Sequence, residues 1–178
     1  MKIKRRICII LLAALIAATA FTGCINAESI EIARISRVLS VNCSGATLVG
    51  KYDSHGGFHG DGTSFYEFNF DDDSQVNAIK ESDKWKPFPL TDNLTKIVWG
   101  VQTDDRYELP LVTRDSDYEH PLFPKVESGY WFFRDRHSDA TDPNDDTHVL
   151  DKRRCSYNFT VAIYDTDTNH LYYAEFDT

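Results

Sequence analysis

From Cys155 to Ile163 the chain alternates with a period of two. Cys155, Tyr157, Phe159, Val161 and Ile163 interleave with Ser156, Asn158, Thr160 and Ala162. In an extended chain successive side chains point to opposite faces, so this run is a strand with one face destined for a core. Asp165-Thr-Asp-Thr-Asn169 supplies turn chemistry, and Leu171 to Phe176 runs back as a second strand. The pair is a β-hairpin. An isolated hairpin is only marginally stable, so the rest of the chain must add strands or helices that cover its apolar face.

Those elements can be read upstream. Over 63–70, Tyr66, Phe68 and Phe70 face one way, with Phe65, Glu67 and Asn69 opposite, which is a strand. Residues 46–52 form another, joined to it through Ser54-His-Gly-Gly-Phe-His-Gly-Asp-Gly62, with four glycines in nine residues. Tyr130 to Arg134 is aromatic on both faces and belongs in the middle of a sheet. Over 29–39, Ile32, Ile35 and Leu39 share a helical face, Ser29 can cap, and Glu28 and Glu31 precede Arg34 and Arg37 in the order the helix dipole favours. Short helices are expected around Val76 and Ile79, and again after Thr91-Asp92, where Leu94, Ile97 and Val98 point inward and Gly100 ends the run. The prolines of Trp85-Lys-Pro-Phe-Pro-Leu90 forbid a helix between them. Between 101 and 129 periodicity fades, with Pro110, Pro121 and Pro124 as punctuation and a short strand near 109–113. Loops this long in a compact domain are usually functional or disordered. The fold expected is α+β: a single domain with a mostly antiparallel sheet of about five strands and two or three short helices packed on one face. A wholly β sandwich is the alternative, should the short helices be loops.

The N-terminus carries an address. Met1-Lys-Ile-Lys-Arg-Arg6 is basic, Ile7 to Phe21 is apolar, and Thr22-Gly23 precede Cys24. This is the layout of a secretory signal peptide over 1–23, leaving 24–178 as one extracytoplasmic domain. The apolar run, about 15 residues, is short of the roughly 20 that span a bilayer. Phe21-Thr22-Gly23-Cys24 resembles the lipobox of bacterial lipoproteins, departing from it at Phe21, where leucine is usual. The resemblance implies a diacylglyceryl group on the Cys24 sulfur. Two acyl chains, at about 0.8 kcal/mol per buried methylene, would hold the protein on a membrane without spanning it. Cleavage after Ala27, with Cys24 discarded and the product secreted, is the rival reading.

Charge narrows the partners. Loss of Lys2, Lys4, Arg5 and Arg6 with the leader takes the net charge from −9 to −13. Such a surface repels nucleic acid and anionic lipid, so no nucleic-acid partner is expected. With 13% aromatic residues the chain is no disordered acidic tail. Of four cysteines, Cys8 leaves with the leader and Cys24 is the lipidation candidate. Cys43 and Cys155 remain, an even pair in an oxidising compartment. A disulfide between them and a pair of free thiols are the two readings.

Three groups of residues could carry chemistry. His55, His59 and Asp61 in the glycine-rich turn, flanked by Asp53, and His137 beside Asp135 combine donors that suit zinc, with a coordination position left for water. No HExxH pair accompanies them, and polar loop histidines among turn glycines explain the same residues. Asp165-x-Asp167-x-Asn169 opens like an EF-hand calcium loop, but His170 stands where glycine is required and Phe176 where the bidentate glutamate belongs. Asp139, Asp142, Asp145 and Asp146 form an acidic loop that could gather a hard cation or simply be solvated. Ser138 next to His137 makes no triad by adjacency, and no GxSxG elbow is present.

The runs SHGGFHGDGTSFYEFNF, WKPFPLTDNL, YWFFRDRHS and YNFTVAIYDTDTNHLYYAEFDT resemble small secreted or lipid-anchored proteins of Gram-positive bacteria. That likeness implies an exported globular domain and brings no site residues with it. Two function classes follow. One is a non-enzymatic binding module at the cell surface, meeting an extracellular protein or small ligand, with a partner footprint on 101–128 and no cofactor. The other is a metal-dependent hydrolase built on the His55/His59 loop.

Overall fold

The structure is a computed structural model that describes residues 27–56, 60–137 and 140–178. Cys24, His59, Ser138 and Asp139 lie outside the described residues. Helix α1 (Ala27–Leu39) opens the described chain, with Glu28 in its first turn and Arg37 in its last. It ends where Ser40 takes a positive φ and the Val41 N–H closes back on the Ser36 carbonyl, a helix stop made here without glycine. Strands β1 (Thr47–Asp53) and β2 (Gly62–Asn69) follow, then α2 (Ser74–Glu81) and a three-residue strand β3 (Trp85–Pro87). In α3 (Asp92–Trp99) the Thr91 hydroxyl oxygen accepts the Leu94 N–H at 3.1 Å and Gly100 terminates the helix, both as its sequence implies.

The excursion after α3 is two small ladders: β4 (Val101–Gln102) with β5 (Tyr107–Glu108), and β6 (Thr113–Arg114) with β7 (Asp117–Pro121). The chain then returns through β8 (Gly129–Asp135), β9 (Asn158–Asp165) and β10 (His170–Asp177). The main sheet has six strands in the order β1-β2-β10-β9-β8-β3, each antiparallel to its neighbours. The single α+β domain expected from the sequence is the fold observed. The strands number six because Trp85–Pro87 adds a short edge against β8.

The helices do not share one face. Ile35 and Leu39 of α1 and Ile79 of α2 pack with Tyr66, Phe68, Ala162, Tyr164 and Tyr173 on one side of the sheet. Leu94, Ile97 and Val98 of α3, with Val112, Phe123 and Val149, cover Phe65, Phe133, Val161 and Ile163 on the other. The reason lies in β9, which is buried on both faces. Its alternation sets large apolar residues against Thr160 and Ala162, which are small enough to bury. It is not the charged alternation of a half-exposed strand.

Candidate functional site

The glycine-rich turn leaves β1 and re-enters at β2 through Gly62, whose φ is +154°. A Cβ there would lie 2.7 Å from the His55 backbone, so the absence of a side chain lets the turn close and places His55. Both His55 ring nitrogens face carboxylates: Nδ1 is 2.9 Å from Asp53 Oδ1 and Nε2 is 3.1 Å from Asp177 Oδ2. Burial pushes the imidazole pKa down, but the two carboxylates outweigh it and hold His55 above its ordinary value. Asp177 Oδ2 also accepts Arg136 Nη2 at 3.0 Å, and the same guanidinium donates to the Phe159 carbonyl at 3.1 Å. His55 and Arg136 therefore share the Asp177 carboxylate.

Of the expected zinc set, His59 lies outside the described residues, and His55, Asp61 and His137 are placed as follows. The structure does bring the turn and the end of β8 to the same end of the sheet, through Asp177. His55 is spent as a clamp, Asp61 is exposed, and His137 lines a different feature. Among the described residues no three His, Cys, Asp or Glu side chains are placed to hold a metal ion. Asp177 lies 122 residues from His55 and follows the last apolar position of its strand, so no local pattern announces it.

His137 lines an open cleft of about 520 Å³ in the β8–β9 connection, together with His148, Asp151, Arg153, Arg154 and Cys155. The base of this connection is pinned by Asp135, whose carboxylate meets Arg154 at 2.6 and 2.9 Å and accepts the His137 N–H at 2.9 Å. Burial pushes the Asp135 carboxyl up. The hydrogen bonds and charge of Arg154 more than offset this and hold it below the usual carboxylate range. Cys155 is exposed and Cys43 is buried against Ser36, and both thiols are free. Of the two readings, the structure has the free thiols rather than the bridge: Cys43 packs beneath α1 on one face of the sheet, while Cys155 lies in the cleft. Burial pushes the Cys43 thiol up to about 11.

The acidic loop and the Asp165–Asn169 turn resolve into local caps. Asp142 accepts the Asn144 N–H, Asp145 accepts the Thr147 N–H, and buried Asp146 takes the Thr91 hydroxyl that caps α3. Asp165 accepts from Asp167 and Thr168, and Asn169 adopts a positive φ that turns β9 into β10. Asp142, Asp145 and Asp165 point into their own turns while Asp146 reaches α3, which is the hairpin and turn chemistry that also explains these residues; Asp139 lies outside the described residues.

The 101–128 excursion behaves differently. Large apolar side chains are exposed at Ile30, Val49, Tyr107, Leu109 and Tyr118, and three of these five stand between β5 and β7. Tyr107 is 54%, Leu109 45% and Tyr118 61% exposed. The Tyr107 hydroxyl donates to the Glu119 carbonyl at 3.5 Å, which brings the two ladders alongside. Beneath them, the Leu111 and Val112 N–H groups donate to the Ile97 carbonyl and the Asp115 N–H donates to the Tyr52 hydroxyl. The excursion is thus moored to α3 and β1 while its outer side chains stay in water. Among the described residues no helix is long and apolar enough to cross a membrane. Comparison with protein-family profiles, curated proteins and solved structures finds no match for this chain.

Proposed function

We propose that the protein is a non-enzymatic binding module, held on the outer face of the cell membrane through a lipid-modified Cys24, which meets its partner on the β4–β7 surface. The exposed side chains of Tyr107, Leu109 and Tyr118, on two ladders that the Tyr107–Glu119 contact brings side by side, carry this reading. Exposed aromatic and aliphatic side chains gathered in one place, rimmed by polar groups, are the mark of an interaction surface. The tethering half rests on the basic and apolar leader and on the Phe21-Thr22-Gly23-Cys24 tetrad. A metal-dependent hydrolase built on the His55/His59 loop is the second reading, and it requires His55 to exchange its contacts with Asp53 and Asp177 for a metal ion.

Two measurements test the proposal. The intact mass of the processed protein should show a diacylglyceryl group on Cys24 that Cys24→Ala abolishes. An unmodified start downstream of Cys24 would refute the anchor. A photo-crosslinking tyrosine analogue at position 118 should trap a discrete envelope partner on living cells. The same analogue at Asn77, on the opposite face, should not, and equal trapping from both positions would refute the surface.

A further inference from the structure

We infer that the β4–β7 surface takes a cationic polypeptide segment, one whose lysine or arginine side chains lie across Tyr107 and Tyr118. This rests on the reading of that surface as the partner site. It adds the chemistry of the partner. Between 101 and 120 the chain carries six carboxylates, Asp104, Asp105, Glu108, Asp115, Asp117 and Glu119, against the guanidinium groups of Arg106 and Arg114. Both guanidinium groups are occupied. Arg106 meets Glu108 at 3.0 Å, and Arg114 lies over the Tyr52 ring at 4.8 Å from its centroid. Glu108 also holds Lys96 at 3.4 Å, and Asp117 holds His120 at 2.8 Å. Asp104, Asp105, Asp115 and Glu119 are exposed, and among the described residues no cation pairs with them.

Exposed rings beside uncompensated carboxylates match the two halves of a long basic side chain. Its methylene stem covers apolar surface and its head is drawn both to the ring face and to the carboxylates. The domain uses this contact on itself in the same region, where Lys125 sits 4.3 Å from the Trp99 ring centroid and Arg114 sits over Tyr52. The same charge disfavours the other occupants. A second copy of this chain would bring the same acidic face, and an anionic lipid surface would be repelled in the same way. A neutral glycan can stack on tyrosine and donate its hydroxyls to the carboxylates, but it gains no charge attraction from them.

The test is fluorescence anisotropy with the lipid-modified protein in neutral detergent. The probe is a short fluorescein-labelled lysine–arginine peptide, set against an oligoglutamate of equal length and a neutral chito-oligosaccharide. The basic peptide should bind, weaken as salt is raised, and lose about tenfold in affinity with either Tyr107→Ala/Tyr118→Ala or Asp104→Asn/Asp105→Asn/Glu119→Gln. Asp71→Asn/Glu81→Gln/Asp83→Asn removes equal charge beside α2 on the far face and should leave affinity within about twofold. All three variants change exposed residues, and an unchanged circular dichroism spectrum confirms that each is folded. Equal loss in the far-face variant reduces the effect to diffuse acidity and overturns the proposal. So does unchanged binding by the tyrosine variant, or binding of the oligosaccharide in place of the basic peptide. If the basic peptide fails while crosslinking from position 118 persists, the surface stands and only its cationic partner is refuted.

Discussion

Replacing Asp135 with asparagine is the sharpest probe of how the β8–β9 connection is held. The Asp135 and Arg154 side chains are only 5% and 11% exposed, so the pair is shielded from the screening that weakens surface ion pairs. Asp135→Asn keeps the shape and an acceptor for the His137 N–H, but takes the Asp135 charge away from the Arg154 guanidinium. Breaking a buried pair from one side costs roughly 3–5 kcal/mol. Arg154 retains long contacts to the Ser156 and His148 carbonyls at 3.4 and 3.5 Å, which places the expected cost at the lower end, about 3 kcal/mol. For a domain of this size that lowers Tm by about 6–12 °C. Urea unfolding at neutral pH gives the number directly, provided the slope is unchanged. The sign with pH is fixed as well. Folding holds the Asp135 carboxyl below its unfolded value, so its contribution is whole above that value, about 3.9, and fades as pH falls through the lower folded one. The gap between wild type and variant must therefore shrink in acid. A loss below about 1 kcal/mol, or a gap that does not narrow toward pH 2, would refute the buried-pair reading.

The remaining predictions address other parts of the fold. His55 is raised in the folded state, so its clamp stabilises fully below the unfolded value, about 6.5, and fades as pH rises through the folded one. His55→Gln should cost about 1–2 kcal/mol at pH 5.5 and less at pH 9, read by thermal unfolding at both; an equal cost at the two pH values rules out the imidazolium. In the Cys24→Ala protein, Ellman's reagent at pH 8 should titrate Cys155 at once and Cys43 only after unfolding. With its pKa at about 11, roughly a thousandth of the Cys43 thiol is ionised even before burial blocks access. Gly129→Ala should destabilise by more than about 3 kcal/mol in chemical denaturation. Its φ is +147° and an added Cβ would lie 1.9 Å from the Tyr164 carbonyl oxygen, inside the β8–β9 ladder; near-wild-type stability would place that ladder wrongly.

Most of the sheet was legible because its strands advertise themselves locally. Tyr66, Phe68 and Phe70 fall on one side of β2 and Phe65 on the other, as period two requires. Capping chemistry fixed α3 in the same way, through Thr91 and Gly100. Which face each helix covers was not legible. That depends on whether Thr160, Ala162 and Tyr164 are buried along with Phe159, Val161 and Ile163, and a strand buried on both sides reads much like one buried on a single side when its second face carries a threonine and an alanine beside one tyrosine. Strand β3 was hidden by its proline: Pro87 sits on a sheet edge, where a missing N–H is tolerated.

The partners of the candidate residues are hidden for a related reason. Histidines and aspartates suggest chemistry by their type, but the groups they meet lie elsewhere in the sequence: Asp177 for His55 and Arg154 for Asp135. Each of these contacts fastens a loop. The β4–β7 excursion differs because its anchors and its outer surface are separate residues. Val112, Phe123 and the Ile97 carbonyl hold it to the core, while Tyr107, Leu109, Tyr118 and the unpaired carboxylates contribute little to that hold. Side chains with so small a part in that hold can change without unfolding the six-stranded sheet. The three large apolar groups left in water there are the surface that the proposed partner contact would cover.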